Sequence, residues 1–388
     1  MLLRHALPPR CDMPRAARLV WLVVAIIAVS ACTWAQNTPI VIPAGTPEDK
    51  DLAAISANGD ASKKIAAYQD FMSKYGDNKA AMAYGEWQLS QLYLAGGDTA
   101  KAMDMGTKAL AAYPSNLDII LSQATIAQAM KDNSKVVDYA VQGAAVYNSI
   151  AKQPKPPDVS DSEWPARIAS EQASAQNAYD FLETSAYNAI ASEQDLNKRM
   201  TEIEKFTPAF PKSKFSGQIS QLALYTLQQL NQPQRLVAYG EKALAADPNS
   251  LSTLLMMSNA YVGDPKEATK AASYANKVLT VVGPNPESGD KEKKSYAGLA
   301  HTMLGRAELN QEKMLPAVAD LKAAVTLLQE DPADQQQALY YLGYAYAKQN
   351  RKAEALATLQ KAAAIDGPYA GPSKDMMAKI NAAGAKKK

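Results

Sequence analysis

Small and large apolar residues recur in this chain at helical spacing, in pairs of segments that return about every 34 residues. In the clearest copy, 336–369, the first segment is marked by Leu339, Leu342, Gly343 and Tyr346. The second segment is marked by Ala355, Leu359 and Ala362, and Pro368 follows it. Two helices can approach closely only where their side chains are small, and large side chains fill the remaining gaps. The pattern therefore predicts a helical hairpin.

The same spacing fits most of the chain after about residue 50. Further copies begin at Ala83, Leu117, Ser216, Leu251 and Gly298. A weaker copy covers Asp180–Ser213, and Asp51–Asn78 supplies a first hairpin. We therefore expect an all-α protein of about eight helical hairpins.

This repeat resembles the tetratricopeptide repeat (TPR), whose degenerate 34-residue pattern places a Leu-Gly-like pair, an aromatic residue, two alanines and a proline at similar offsets. The resemblance implies a right-handed α-solenoid of stacked antiparallel hairpins. It also implies a protein-interaction scaffold that binds a peptide or protein segment in its concave groove.

Prolines and composition divide the predicted array. We predict a leader over 1–35, a flexible tether over 36–48, N-terminal repeats over 49–150, a Pro-rich linker over 151–163, middle repeats over 164–285, C-terminal repeats over 286–371, and a capping helix with a basic tail over 372–388. Two breaks, 152–158 and 283–290, contain residues that cannot continue a helix. The sequence leaves open whether they are hinges, functional loops or tolerated insertions.

The N-terminus has the pattern of an export signal. Arg15 and Arg18 precede the apolar run 19–29, which is too short for a comfortable membrane span. Small residues before Gln36 favour cleavage there, which predicts a periplasmic or secreted bacterial protein. Residues 29–32 also resemble a lipobox, so Cys32 is a possible lipidation site on a membrane-anchored lipoprotein. Met13 is an alternative start.

Composition argues against several functions. The cysteines are Cys11 and Cys32 and the histidines are His5 and His301, so we expect no disulfide, metal site or cofactor in the mature domain. The net charge is +2, and a leader ending at Ala31 removes four arginines and one aspartate, which leaves about −1. Nucleic-acid binding requires a strong basic surface, so we exclude it. No Ser-His-Asp, Cys-His or phosphate-loop pattern is present, so we predict that the chain is not an enzyme.

The resemblance places binding residues on the first helix of each hairpin. The positions that correspond to the concave groove are Tyr84, Trp87, Gln91, Gln221, Tyr225, Asn259, Arg306, Tyr340, Tyr344 and Lys348. Amide and aromatic groups suit an extended peptide, because amides pair with its backbone and aromatic rings provide contact area. Two alternatives remain: an envelope lipoprotein that assists assembly of an outer-membrane or secretion complex, and a solenoid that binds carbohydrate or another small ligand.

Overall fold

A computed structural model describes residues 37–284 and 291–385. The predicted leader with Cys32, the basic tail 386–388 and part of the second break, 285–290, lie outside the described residues. The described chain forms two compact units. The first contains 37–192 and 205–211, and the second contains 193–204, 212–284 and 291–385.

The first unit is built from helices joined by short connections. Its helices are α1 (Pro47–Ser56), α2 (Ala61–Lys74), α3 (Lys79–Ala95), α4 (Thr99–Ala112), α5 (Leu117–Ala129), α6 (Asn133–Ile150) and α7 (Trp164–Ser192). The next helix, α8 (Leu196–Ala209), contributes residues to both units. Side-chain caps begin most of these helices; for example, Asn116 accepts a hydrogen bond from the main-chain N–H of Ile119 at 3.0 Å.

The second unit continues the same arrangement. Its helices are α9 (Ser216–Gln229), α10 (Pro233–Ala246), α11 (Leu251–Val262), α12 (Ala268–Val282), α13 (Lys291–Asn310), α14 (Met314–Leu327), α15 (Pro332–Lys348), α16 (Lys352–Ala364) and α17 (Ala370–Ala385). A 3₁₀ turn, Pro265–Glu267, precedes α12. Consecutive helices pack against each other along each unit. Strands are absent from the described residues, so the predicted all-α fold of stacked helical hairpins is confirmed.

Within the part of the chain that the structure describes, five hairpins have three-residue turns with one backbone conformation. The middle residue of each turn has positive φ, between 52° and 81°: Gly97, Lys131, Asn231, Glu312 and Asn350. The following N–H then donates back to the first helix, as Asp132 does to the carbonyl of Ala127 at 3.0 Å. This Schellman-type closure ends the helix and satisfies one of its last carbonyls.

Glycine permits the closest helix crossings. A Cβ at Gly343 of α15 would lie 2.6 Å from Cγ of Leu359 in α16, and a Cβ at Gly305 of α13 would lie 2.6 Å from Cγ of Leu321 in α14. Both leucines are fully buried. The Gly and Leu positions of the repeat pattern therefore meet at the crossing of the two helices, as the sequence predicted.

The two predicted breaks join helices that pack together within one unit. Residues 151–163 connect α6 to α7, and the ring of Tyr147 in α6 lies 4.3 Å from the ring of Tyr179 in α7. The second break connects α12 to α13, which also pack together. The boundaries between the units fall elsewhere, at 192/193, 204/205 and 211/212, and the second of these lies within α8.

The segment before α1, predicted as a flexible tether over 36–48, contacts the start of α5. Asn116 donates from Nδ2 to the carbonyl of Thr38 at 3.0 Å, and Leu117 donates from its N–H to Oδ1 of Asn37 at 3.3 Å. Helix α1 also begins within the predicted tether, at Pro47, because Thr46 caps it. The start of the segment is therefore fastened to the first turn of α5.

Among residues 37–284 and 291–385, no helix is both long enough and apolar enough to cross a membrane.

Candidate functional site

The first helices of the hairpins lie side by side in each unit. In the first unit they are α3 and α5, and in the second they are α9, α11, α13 and α15. We call the row of these helices within each unit the first-helix surface of that unit. The ten binding positions implied by the resemblance all lie on helices of these two surfaces.

In the first unit, the predicted aromatic residues help to hold neighbouring helices together. Trp87 donates from Nε1 to the hydroxyl of Ser122 in α5 at 3.0 Å. The ring of Tyr84 meets the ring of Trp87 edge to face, with centroids 6.1 Å apart. Gln91 is exposed at the end of the row. Trp87 and Tyr84 therefore contribute to packing, and Gln91 is the most accessible of the three.

Arg306 is the central residue of the first-helix surface in the second unit. Its Nη1 donates to Oδ1 of Asn259 in α11 at 3.2 Å. On its other side, the guanidinium carbon lies 4.8 Å from the centroid of the Tyr341 ring in α15. Hydrogen bonding and a cation–π contact thus fix one cation between three successive first helices. A guanidinium has five N–H donors, so its contacts with Asn259 and Met303 leave others for a ligand.

Tyrosines cluster next to Arg306. The ring of Tyr340 lies 5.2 Å from that of Tyr341 and 5.1 Å from that of Tyr369. Burial is the main cause that raises the pKa of Tyr340 and of Tyr341 above the usual value for tyrosine. Both phenols are therefore neutral at physiological pH and can donate as well as accept hydrogen bonds.

Accessible groups flank this cluster at both ends of the row. Tyr225 of α9 is 50% exposed, and its hydroxyl accepts a hydrogen bond from Gln229 at 3.0 Å. Gln221 bonds to Ser252 of α11 at 2.8 Å. At the other end, Nζ of Lys348 lies 5.4 Å from the centroid of the Tyr344 ring. The surface therefore presents aromatic, amide and cationic groups over four successive hairpins.

Sequence reasoning missed Tyr341 as a binding candidate, although it is the aromatic partner of Arg306. The family offsets selected Tyr340 and Tyr344, and Tyr341 lies one residue outside them. Adjacent residues on a helix point in different directions. The position of Tyr341 at the α13–α15 contact therefore depends on the rotation between hairpins, for which the sequence has no local signal.

The single histidine of the repeats belongs to an acidic cluster between α13 and α14. Nδ1 of His301 lies 2.7 Å from Oδ1 of Asp320. Burial, followed by the charge of Asp320 and a hydrogen bond to it, raises the pKa of Glu308 to about 8. Glu308 therefore holds a proton at neutral pH that an exposed glutamate releases. Within the described residues, no group of three or more His, Cys, Asp or Glu side chains is arranged to hold a metal ion.

Comparison with known proteins returned similarities only among solved structures. No protein-family model matches this chain, and no curated protein matches it. The TPR domain of P58(IPK) is 14% identical, with 88% of this chain and 99% of that chain covered and a TM-score of 0.32. The TPR protein TTC0263 of Thermus thermophilus is 19% identical, with 51% and 95% covered and a TM-score of 0.34. The apo form of RapI is 12% identical, with 73% and 76% covered and a TM-score of 0.40.

Proposed function

We propose that this protein is an exported, non-enzymatic interaction scaffold that binds an extended segment of a partner protein on the first-helix surface of its second unit. The observation that carries this proposal is the position of Arg306 between Asn259 and Tyr341. Packing alone requires only the Leu, Ala and Gly positions of the repeat. A cation held by one amide and one aromatic ring is pre-organised, so little side-chain entropy remains to be lost when a ligand binds.

The neighbouring side chains define what this surface can recognise. The remaining N–H donors of Arg306 can bind backbone carbonyls or a carboxylate of an extended segment. Tyr225 and Tyr344 offer aromatic area at low entropic cost, and Lys348 adds a second cation at one end. Aromatic and arginine anchors commonly supply most of the energy of a protein interface.

Export is the second part of the proposal. It is supported by the basic residues Arg15 and Arg18 followed by the apolar run 19–29, and by the absence of cysteine after Cys32. When the full gene product is expressed in a bacterium, the mass of its N-terminal peptide distinguishes cleavage before Gln36 from lipidation at Cys32. An N-terminus that retains 19–29 would contradict both routes.

Selection from a random peptide library on the purified chain tests the binding surface. We expect wild-type protein to select a peptide family, and the Tyr225→Ala/Arg306→Ala variant to bind these peptides at least tenfold more weakly. The matched control is Lys322→Ala/Lys361→Ala, which removes two exposed side chains from the second helices α14 and α16. Circular dichroism should show equal helical content in all three proteins.

Two outcomes would contradict the proposed binding surface. The first is a wild-type protein that selects no peptide. The second is a selected peptide family that binds the Tyr225→Ala/Arg306→Ala variant as well as wild type but fails to bind the control variant, which would place the site on the second helices.

A further inference from the structure

A cleft of about 350 Å³ lies in the first unit, where the α5–α6 turn meets the C-terminal part of α7. Its volume falls in the range of small-molecule sites, about 300–1,000 Å³. Side chains that can form hydrogen bonds dominate its lining, which consists of Gln128, Lys131, Asn133, Val136, Ser185, Asn188, Ala189 and Ser192. This cleft is separate from the site proposed above, which lies in the second unit.

The second unit has a cleft at the corresponding place, and the two differ in size and charge. There the α9–α10 turn meets α11, and the volume is about 100 Å³. Gln228, Asn231 and Asn259 take the places of Gln128, Lys131 and Asn188. Because these positions correspond one by one, the second cleft serves as an internal reference for the first.

Two replacements account for the difference. Met256 lies in α11 at the position that Ser185 takes in α7, so the smaller serine leaves space where methionine fills it. Asn231 has φ of 52° and Lys131 has φ of 58°, so both turns share one backbone conformation but only the first carries a cation. The first cleft is therefore larger and positively charged.

Two polar side chains of this cleft, Ser185 and Lys131, are available for a ligand. Ser185 is 4% exposed, and its hydroxyl forms no hydrogen bond with the described residues. Lys131 is exposed and forms no ion pair with any described residue, whereas its neighbour Asp132 is bonded to Lys135 at 2.9 Å. The N-terminus of α6 is already capped by Asp132, whose Oδ1 accepts a hydrogen bond from the main-chain N–H of Lys135 at 3.1 Å, so Lys131 is the cationic group that remains for an anion.

The lining also limits the chemistry of the ligand. It contains no carboxylate, so an ammonium group would lose its hydration without gaining an ion-pair partner. It contains no aromatic ring on which a planar ligand could stack. Primary amides and a hydroxyl can pair with alcohol groups, because both are donors and acceptors.

We propose that this cleft binds a small hydroxylated anion of about monosaccharide size. Its carboxylate or phosphate contacts Lys131, and its hydroxyl groups contact Gln128, Asn188 and Ser185. Sugar acids and sugar phosphates share this chemistry, and the proposal covers both.

Calorimetric titration of the full chain with four ligands tests the proposal. Gluconate and glucose 6-phosphate are the two anionic probes, and their relative affinities distinguish a carboxylate from a phosphate ligand. Sorbitol retains the hydroxyl groups without the charge, and glucosamine carries the opposite charge. We expect saturable one-to-one binding of at least one anion, and at least tenfold weaker binding of sorbitol and glucosamine.

Variants that copy residues of the second cleft into the first supply the controls. Lys131→Asn introduces the residue found at Asn231, which tolerates the same backbone conformation, so the fold should be retained. It should weaken binding of the anion by about 10- to 100-fold, because a charged hydrogen bond is lost. Ser185→Met should fill the cleft, and Ser185→Ala should keep its volume while removing the hydroxyl. Asn231→Asp in the second unit should leave binding unchanged.

Three results would overturn the proposal: no binding of either anion, equal affinity for gluconate and sorbitol, or unchanged affinity in Lys131→Asn. None of them bears on peptide binding by the second unit, so the two proposals fail independently.

Discussion

Replacing Gly343 with leucine should loosen the hairpin formed by α15 and α16. The first added carbon would lie 2.6 Å from Cγ and 2.8 Å from Cδ2 of Leu359, whereas carbon atoms normally approach to about 3.5–4.0 Å. Leu359 is fully buried and cannot turn into solvent. Overpacking of this kind costs about 1–3 kcal/mol, and loss of a helical glycine returns roughly 1 kcal/mol. Because leucine adds three carbons beyond Cβ, we expect a net loss of about 1–3 kcal/mol.

Hydrogen exchange measured by mass spectrometry can locate this loss. Repeat proteins are stabilised by contacts within each repeat and with its neighbours, so the effect should be confined to α15, α16 and the adjoining helices. A loss of 1–3 kcal/mol corresponds to exchange about 5- to 150-fold faster in peptides from 332–364. Peptides from α3 and α4 should exchange as in wild type.

The matched control is Gly217→Leu in α9, where a Cβ would meet no atom within 4 Å. This variant should be neutral or slightly more stable than wild type. The reasoning would be refuted if Gly343→Leu left exchange in α15 and α16 unchanged, or if Gly217→Leu were equally harmful. A Leu359→Ala background offers a further check, because Gly343→Leu should cost less there than in wild type.

Two further predictions concern buried polar groups of the second unit. Gln336→Leu should destabilise the last hairpin by about 1–3 kcal/mol in urea unfolding, because Nε2 of Gln336 donates to two carbonyls near the end of α16, at 3.1 and 2.6 Å. The control Gln360→Leu, at an exposed position, should have little effect on stability. Equal unfolding midpoints for the two variants would contradict a stabilising role of Gln336. For Glu308 the folded-state pKa is raised from 4.5 to about 8, so the folded chain retains a proton that the unfolded chain releases, and stability falls as pH rises from about 4.5 to about 8. As pH rises across this range, the thermal midpoint of Glu308→Gln should therefore fall less steeply than that of wild type. Glu312→Gln, at an exposed position, should show the same pH dependence as wild type. The same pH dependence in all three proteins would exclude the proposed effect of Glu308.

The hairpins could be predicted because each depends on contacts between residues close in sequence. The spacing of Gly343 and Leu359 encodes one crossing of two helices, and the spacing of Gly305 and Leu321 encodes the same crossing in the preceding hairpin. The sequence alone shows a small residue followed about 16 positions later by a large apolar residue. This local redundancy explains why the all-α fold followed from the sequence.

Features that depend on residues distant in sequence could not be predicted. Asn37 and Thr38 contact the start of α5, about 80 positions later in the sequence. The segment that contains them is polar and includes prolines, and it has no periodic pattern from which such a contact could be predicted. The cleft beside Lys131 depends on a small side chain at Ser185, in the copy whose repeat pattern is weak. The space left by a small side chain cannot be recognised from the sequence, because it depends on the position of the neighbouring helix.

The five shared turns also bear on how such a chain can change in length. Residues as different as Gly97, Lys131 and Asn350 occupy one backbone conformation, and the same hydrogen bond follows each of them. Removing residues 98–131 would therefore join two turns of matching geometry, and inserting a hairpin at either point would do the same. At these turns, recombination or protein engineering can delete, duplicate or exchange a whole hairpin without changing the backbone conformation of the junction.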